Sequence, residues 1–337
     1  MIKALDIAGV RCRTNLILSP MSGVTDCAFR TLVRDCSGES VGLVVSEFVA
    51  AEGLTRRNPR TLSMLRFTPG ERPIAIQIFG AEPDRMADAA RVVEQAGADI
   101  VDVNCGCPAP KVVRRGGGAE LMREPGRLGR ILAAVKKAVS IPMTVKIRSG
   151  WDGSSINAVE VARLAEQEGA DLVAVHGRTR MQLYSGRADW ELVGRVADSL
   201  VVPVVGSGDV VEPQQALERL SSSGAAGVMI GRSTLDNPWI IRQIADLAAG
   251  RPATEPSPED RVAALRRFRD LLRETLPDIS FLGRDRGMAC RLVKGMRGAS
   301  SVRRTLGLCR DVVEVDAVFS DFLLLGSGTT CDRGKAA

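Results

Sequence analysis

Through the first two-thirds of the chain, short apolar runs alternate with segments whose apolar residues recur every three or four positions. The runs at 16–21, 41–47, 74–79, 99–104, 143–148, 172–176, 202–206 and 227–231 are bounded by turn residues and read as strands buried on both faces. Between most of them the spacing predicts amphipathic helices, clearest over 83–95, 125–139, 158–167 and 213–220. Eight strand–helix units favour a closed (β/α)8 TIM barrel over an open doubly wound sheet. A weak internal repeat agrees: Glu94-Gln95-Ala96-Gly97-Ala98-Asp99 is echoed by Glu166-Gln167-Glu168-Gly169-Ala170-Asp171. In each copy a helix ends on a glycine and a strand follows almost at once.

The pattern changes near Gly250. Residues 251–258 are rich in proline, and Ser257-Pro258-Glu259-Asp260 is a helix start signal. Helices are expected over 261–275, 285–296 and 312–325. From 326 onward the chain is rich in Gly, Ser and Thr, and a disordered tail is expected. The division is therefore a barrel over 1–250, a small C-terminal helical domain over 251–326 and a tail over 327–337.

Composition narrows the class. No run is long and apolar enough to span a bilayer, and the first seven residues lack the apolar core of a secretory leader. The 8 cysteines contain no C-x-x-C pair, so no metal site is expected and reduced thiols are. A cytoplasmic protein without membrane association or a stable protein partner is the expectation. Net charge is +6, but it is uneven: residues 251–310 hold 14 Lys and Arg against 7 Asp and Glu. Such a local excess points to nucleic acid unless it is simply a solvated helix face.

In a barrel of this type, side chains at the C-terminal ends of the strands form the site. Here they are Ser19-Pro20-Met21-Ser22, Glu47, Gln77, Asn104 with Cys107, Lys146 with Arg148, His176, Ser207-Gly208-Asp209 and Gly231-Arg232. The last two groups follow strands seven and eight, where small residues let backbone N–H groups reach a phosphate. Lys146 alternates with Thr144 and Arg148 and so faces inward; a buried cation needs a ligand or a carboxylate, Glu47 being the alternative partner. His176 is the only histidine. Gly106 and Pro108 place Cys107 in an exposed turn rather than in the packed core, unlike its neighbour Cys105.

Several blocks resemble the tRNA-dihydrouridine synthase family, most of all its bacterial DusB branch. They are Pro20-Met21-Ser22-Gly23-Val24-Thr25-Asp26, Gln77-Ile78-Phe79-Gly80, Asn104-Cys105-Gly106-Cys107-Pro108-Ala109, Val145-Lys146-Ile147-Arg148-Ser149-Gly150-Trp151 and His176-Gly177-Arg178-Thr179. The resemblance spans roughly residues 12–305. It implies a barrel binding flavin mononucleotide (FMN) with a helical tRNA-binding domain, and reduction of uridine to 5,6-dihydrouridine by NADPH or NADH. Pro20, Met21, Ser22 and Gln77 would line the flavin ring, with Lys146 at its pyrimidine edge. His176, Ser207, Gly208, Asp209, Gly231 and Arg232 would hold the ribityl chain and phosphate. Asn104 would bind the uracil and Cys107 would protonate it, while Arg148, Arg178, Lys294, Arg303 and Arg304 are the other candidate substrate contacts. The family's Asn-Gly-Asp stands here as Ser207-Gly208-Asp209, and its Arg-Lys-His run as Arg286-Gly287-Met288.

The rival readings are a flavin barrel acting on a free pyrimidine, of the dihydroorotate dehydrogenase kind, an RNA-binding protein with a relict barrel, and a phosphate-binding barrel with Lys146 as a Schiff base. The first needs no basic appendage, the second no Cys107 or Lys146, and the third leaves Asn104 and Cys107 unexplained.

Overall fold

The computed structural model describes residues 1–275 and 281–324. Eight parallel strands close on themselves: β1 Leu16–Leu18, β2 Leu43–Val45, β3 Ile74–Phe79, β4 Ile100–Asn104, β5 Met143–Arg148, β6 Leu172–His176, β7 Val204–Ser207 and β8 Gly227–Ile230. The ring is shut where Val228 lies opposite Leu16 and Val44 opposite Ile74. Each expected strand is present, most of them shorter than its apolar run, because the flanking residues turn off the ladder to form the rims. The outer layer includes α1 Cys27–Ser37, α2 Pro83–Gln95, α3 Pro125–Ala138, α4 Ala158–Gln167, α5 Trp190–Asp198, α6 Pro213–Ser223 and α7 Ile240–Ala248. Proline at the first position of α2, α3 and α6 presets the backbone where an N–H would be unpaired in any case.

The barrel interior is graded along its axis. At the N-terminal end Ile17, Val45, Ala75, Ile100, Ala174, Val205 and Met229 form one apolar cluster. A hairpin that the periodicity did not single out, Leu5–Ile7 with Val10–Cys12, joins this cluster through Leu5, Ile7 and Cys12. Alternation along the same strands places Gln77, Asp102, Asn104, Thr144, Lys146, Arg148, His176 and Ser207 one or two layers higher. The apolar layer seals one end, and the polar layers leave the other open to chemistry.

After the barrel come α8 Pro258–Thr275, α9 Leu282–Leu292, α10 Ala299–Leu308 and α11 Val312–Leu324. Three of these were expected. The fourth, α10, has an apolar stripe confined to Ala299, Val302 and Leu306, too sparse to stand out from its arginines. Helix α8 packs along α1, with Arg267 bonded to Asp35 at 2.8 Å. Asp26 caps α1 by accepting from Phe29 N at 3.0 Å and also pairs with Arg284 of α9. The expected tail over 327–337, with Cys331, lies outside the described residues. No helix among the described residues is long and apolar enough to cross a membrane.

Candidate active site

A cleft of about 870 Å3 opens over the polar end of the barrel. Pro20, Met21, Ser22, Gln77, Asn104, Cys107, Lys146, Arg148, His176, Ser207, Gly208, Asp209, Gly231 and Arg232 all line it. Lys294 reaches its rim from just beyond α9. Arg178, Arg303 and Arg304 are not in its wall. Arg178 lies buried behind it, held by Asp209 at 2.7 Å and by the carbonyls of Ser185 and Gly186. Arg303 and Arg304 are exposed on α10.

Both cysteines are buried, against the exposed turn expected for Cys107, because its loop folds down against the barrel mouth; they differ in what they face. Cys105 is fully buried in the layer between strands and helices, whereas Cys107, 7 % exposed, faces the cleft. Burial raises the Cys107 thiol above its ordinary pKa; the Ala109 backbone, Arg148 and Lys146 oppose that only partly, so the sulfur keeps its proton at neutral pH. Its loop is pinned on several sides. Asn104 Oδ1 accepts from Cys107 N at 2.9 Å, and the Cys107 carbonyl accepts from Ala119 N at 3.1 Å. Gly118 adopts φ +60°, and a Cβ there would stand 2.7 Å from the Cys107 carbonyl, so only glycine fits.

Across the cleft lie donors without partners. Lys146 makes no ion pair among the described residues. The alternative partner, Glu47, instead accepts from Gly23 N at 2.7 Å. Burial, and then Arg148, pull the Lys146 ammonium down to about 8, leaving it mostly protonated at neutral pH. The His176 Nε2 and the Ser233 hydroxyl are buried without a hydrogen-bond partner among the described residues. Desolvation, followed by the field of Lys146, Arg148, Arg178 and Arg232, lowers the His176 imidazole to about 2 and keeps it neutral. Gly208, at φ +124°, leaves room in front of this imidazole that a Cβ 3.3 Å from Nε2 would fill. Unsatisfied donors, uncompensated cations and a glycine-cleared approach together suit an anionic ligand carrying a phosphate.

Other groups are already occupied. The Asp209 carboxylate binds Arg178 and the Ala188 N–H, so it braces the turn that Ser207 and Gly208 form. Arg148 donates to the carbonyls of Gly106, Thr179 and Leu183, tying together the loops after β4 and β6. The sequence did not single out Phe48, Tyr184, Leu183, Ser233 or Asp236, all of which line the cleft. Tyr184, whose ring lies 4.4 Å from the Arg232 guanidinium, is the only tyrosine, and that rarity was the one available signal. Ser233 directly follows Gly231-Arg232 and could have been found by extending that turn one residue.

Residues 17–324 match the family model described as Dihydrouridine synthase (Dus). The probable tRNA-dihydrouridine synthase of Rickettsia prowazekii (strain Madrid E) is 35% identical over 328 residues, covering 95% of this chain and 98% of that protein. The tRNA-dihydrouridine synthase B of Pseudomonas putida is 42% identical over 244 residues, covering 72% of this chain and 71% of that one. Among solved structures, histamine dehydrogenase from Rhizobium sp. 4-9 aligns with a TM-score of 0.56 at 14% identity, over 80% of this chain and 50% of that one. 2-Naphthoyl-CoA reductase aligns at 0.55 and 14%, over 74% and 52%. These two likenesses are of fold alone.

Proposed function

The chain belongs to the dihydrouridine synthase (Dus) family, and from that premise we propose that it reduces the C5–C6 bond of uridines in tRNA, with FMN as cofactor and NADPH or NADH as reductant. The observation that carries this reading is one cleft with the buried Cys107 thiol on one wall and unpartnered phosphate-type groups on the other.

The chemistry a flavin supplies when bound is hydride transfer, here from a nicotinamide to carbon 6 of uracil. The chain's own residues do the rest. His176 Nε2, Ser233 Oγ, Arg232 and the Ser207-Gly208 turn would hold the phosphate and ribityl chain. Lys146 would place its charge at the ring edge, while Pro20, Met21, Ser22 and Gln77 line the ring's side of the cleft. Asn104 has its carbonyl occupied by the N–H groups of Gly106 and Cys107, so toward a base it offers only a donor, suited to a carbonyl oxygen of uracil. Cys107 gives its proton to carbon 5. A thiol that keeps its proton at neutral pH suits an acid better than a nucleophile.

The uridine must leave its stack to enter the cleft. We assign residues 1–250 to catalysis and the helices of 251–326 to gripping the RNA that presents it. Arg303 and Arg304, exposed on α10 and without a carboxylate partner among the described residues, favour this over a free pyrimidine as substrate, since a small molecule would need no basic helix beside the barrel.

Purified protein should be yellow and release FMN on denaturation, and it should form dihydrouridine in tRNA lacking it. Cys107→Ala should slow uridine reduction by about 10²–10⁴-fold while leaving flavin reduction by NADPH intact. Cys105→Ala should retain most activity. A protein that neither carries nor takes up a flavin would sink the reading.

A further inference from the structure

Beneath the cleft sits a carboxylate for which the mechanism above has no use. Asp102 on β4 is 1 % exposed and lies at the level where the apolar layer of the barrel gives way to the polar one. It accepts from Thr144 Oγ1 and from Gln77 Nε2, both at 2.5 Å. Register makes both bonds possible, since Gln77 lies opposite Asp102 and Asp102 opposite Thr144 on adjacent strands. From Gln77 the chain of bonds climbs. Gln77 Oε1 accepts from Asn104 Nδ2 at 2.7 Å, and Asn104 Oδ1 accepts from Cys107 N at 2.9 Å and Gly106 N at 3.2 Å.

Every link in this chain has a direction. The two backbone N–H groups at the top can only donate, so Asn104 must turn its oxygen to them and its nitrogen to Gln77. Gln77 must then turn its oxygen to Asn104 and its nitrogen downward, onto a group that accepts. An apolar residue there would leave that N–H buried and unpaired, and a donor would force both amides over and set donor against donor at Cys107. A carboxylate, which offers lone pairs on both oxygens, is suited to closing the chain, and burying one is otherwise costly.

We propose that Asp102 is a positioning residue: by supplying the terminal acceptor of the Gln77–Asn104 amide chain, it fixes the backbone of Cys107 and so the place of the thiol at the cleft. Its purpose rests on Cys107 being the proton donor; its geometry does not.

The test is the rate at which iodoacetamide alkylates Cys107 in the full-length protein as purified, followed by peptide mass, with Cys105 as the marker of global opening. Asp102→Ala should speed Cys107 alkylation about tenfold, the scale of a lost buried hydrogen bond, and leave Cys105 unlabelled. It should also lower kcat for uridine reduction by a similar factor, with KM for tRNA and flavin reduction by NADPH unchanged. Asp102→Asn should stay within about twofold of the parent, because the new amide can accept from Gln77 and donate to the Thr144 hydroxyl. Both variants remove the charge. Equal acceleration in the two would mean that Asp102 acts through its charge, and no acceleration in Asp102→Ala would mean that it anchors nothing; either result overturns the proposal. Should Asp102→Ala not fold, Gln77→Met cuts the chain one link higher with Asp102 in place. It should speed alkylation equally, and an unchanged rate there also overturns the proposal. If the parent reduced no uridine, the proposed activity would fail while the alkylation rates still decided the role of Asp102.

Discussion

The molecule carries two populations of cations, one in the barrel mouth and one on the helices that follow the barrel, and they live under opposite conditions. In the mouth, Lys146, Arg148 and Arg232 have no carboxylate partner among the described residues; the Arg148 guanidinium donates to carbonyls and lies 5.8 Å from the Tyr184 ring centre. On the helices most cations are neutralised. Arg266 meets Asp316 at 2.6 Å, Arg269 meets Asp285 and Asp316, each at 3.0 Å, and Arg273 meets Asp270 at 3.0 Å. Others bind carboxylates of the barrel: Arg267 with Asp35, Arg284 with Asp26, and Arg291 and Lys294 with Asp236. Much of the excess positive charge between 251 and 310 therefore docks one part of the molecule onto the other. Among the described residues Arg286, Arg297, Arg303, Arg304 and Arg310 have no carboxylate partner, and Arg286 donates instead to the Gly307 and Cys309 carbonyls. A charge count over a sequence window is blind to carboxylates that arrive from elsewhere in the chain. An unneutralised cation that burial partly desolvates, as it does Lys146, can outweigh many paired ones in water.

The largest effect should come from removing Lys146 from the mouth. Lys146→Met should weaken flavin binding by about 30-fold, the scale of a charge-assisted hydrogen bond, as read by fluorescence titration of the apoprotein. The same variant should be the more stable apoprotein at pH 7, by about 1–3 kcal/mol in denaturant unfolding. The sign follows from the depressed pKa. An unfolded lysine holds its proton to 10.5 and the folded one only to about 8, so the cost of burying the charge is complete below pH 8. That cost is relieved as pH rises from 8 to 10.5, and the advantage of Lys146→Met should shrink across that window. Parent affinity for flavin should also decline above pH 8. If the variant bound flavin as the parent does, the mouth cations would be as inconsequential as the surface ones.

Arg232→Ala should cost about tenfold in flavin affinity, less than Lys146→Met because Arg232 is exposed and also stacks on Tyr184. On the helical side, the double variant Arg303→Ala, Arg304→Ala should flatten the log–log salt dependence of tRNA affinity by about one to two units. NADPH oxidation by the bound flavin should not change. A parental salt slope would identify these arginines as a solvated face. The smallest effect belongs to a paired surface cation: Asp35→Asn, which breaks the half-exposed bridge to Arg267, should lower stability by about 0–1 kcal/mol in thermal unfolding. A much larger loss would show that the helices depend on such bridges rather than on packing of α8 against α1.

What the sequence by itself determined is what depends on local period and local chemistry. Apolar runs set the eight strands, glycine and proline set their ends, and the alternation in 144–148 was enough to turn Lys146 inward. The turn around Cys107 likewise separated it from Cys105 before any contact was known. Partnership was decided only by the tertiary structure. Whether Lys146 met Glu47 or faced an open cleft depended on how two distant strands were set in the barrel. Whether Arg178 reached a substrate or Asp209, and whether Arg291 and Lys294 were free or bound to Asp236, depended on pairs 31, 55 and 58 residues apart. The chain from Asp102 through Gln77 to Asn104 exists only because β3 and β4 pair in one register. A one-residue slip would turn every one of those side chains to the other face. Hydrophobic period is written along the chain and can be read there; electrostatic and hydrogen-bond partnership is a property of distance in space, and the closed barrel alone sets those distances.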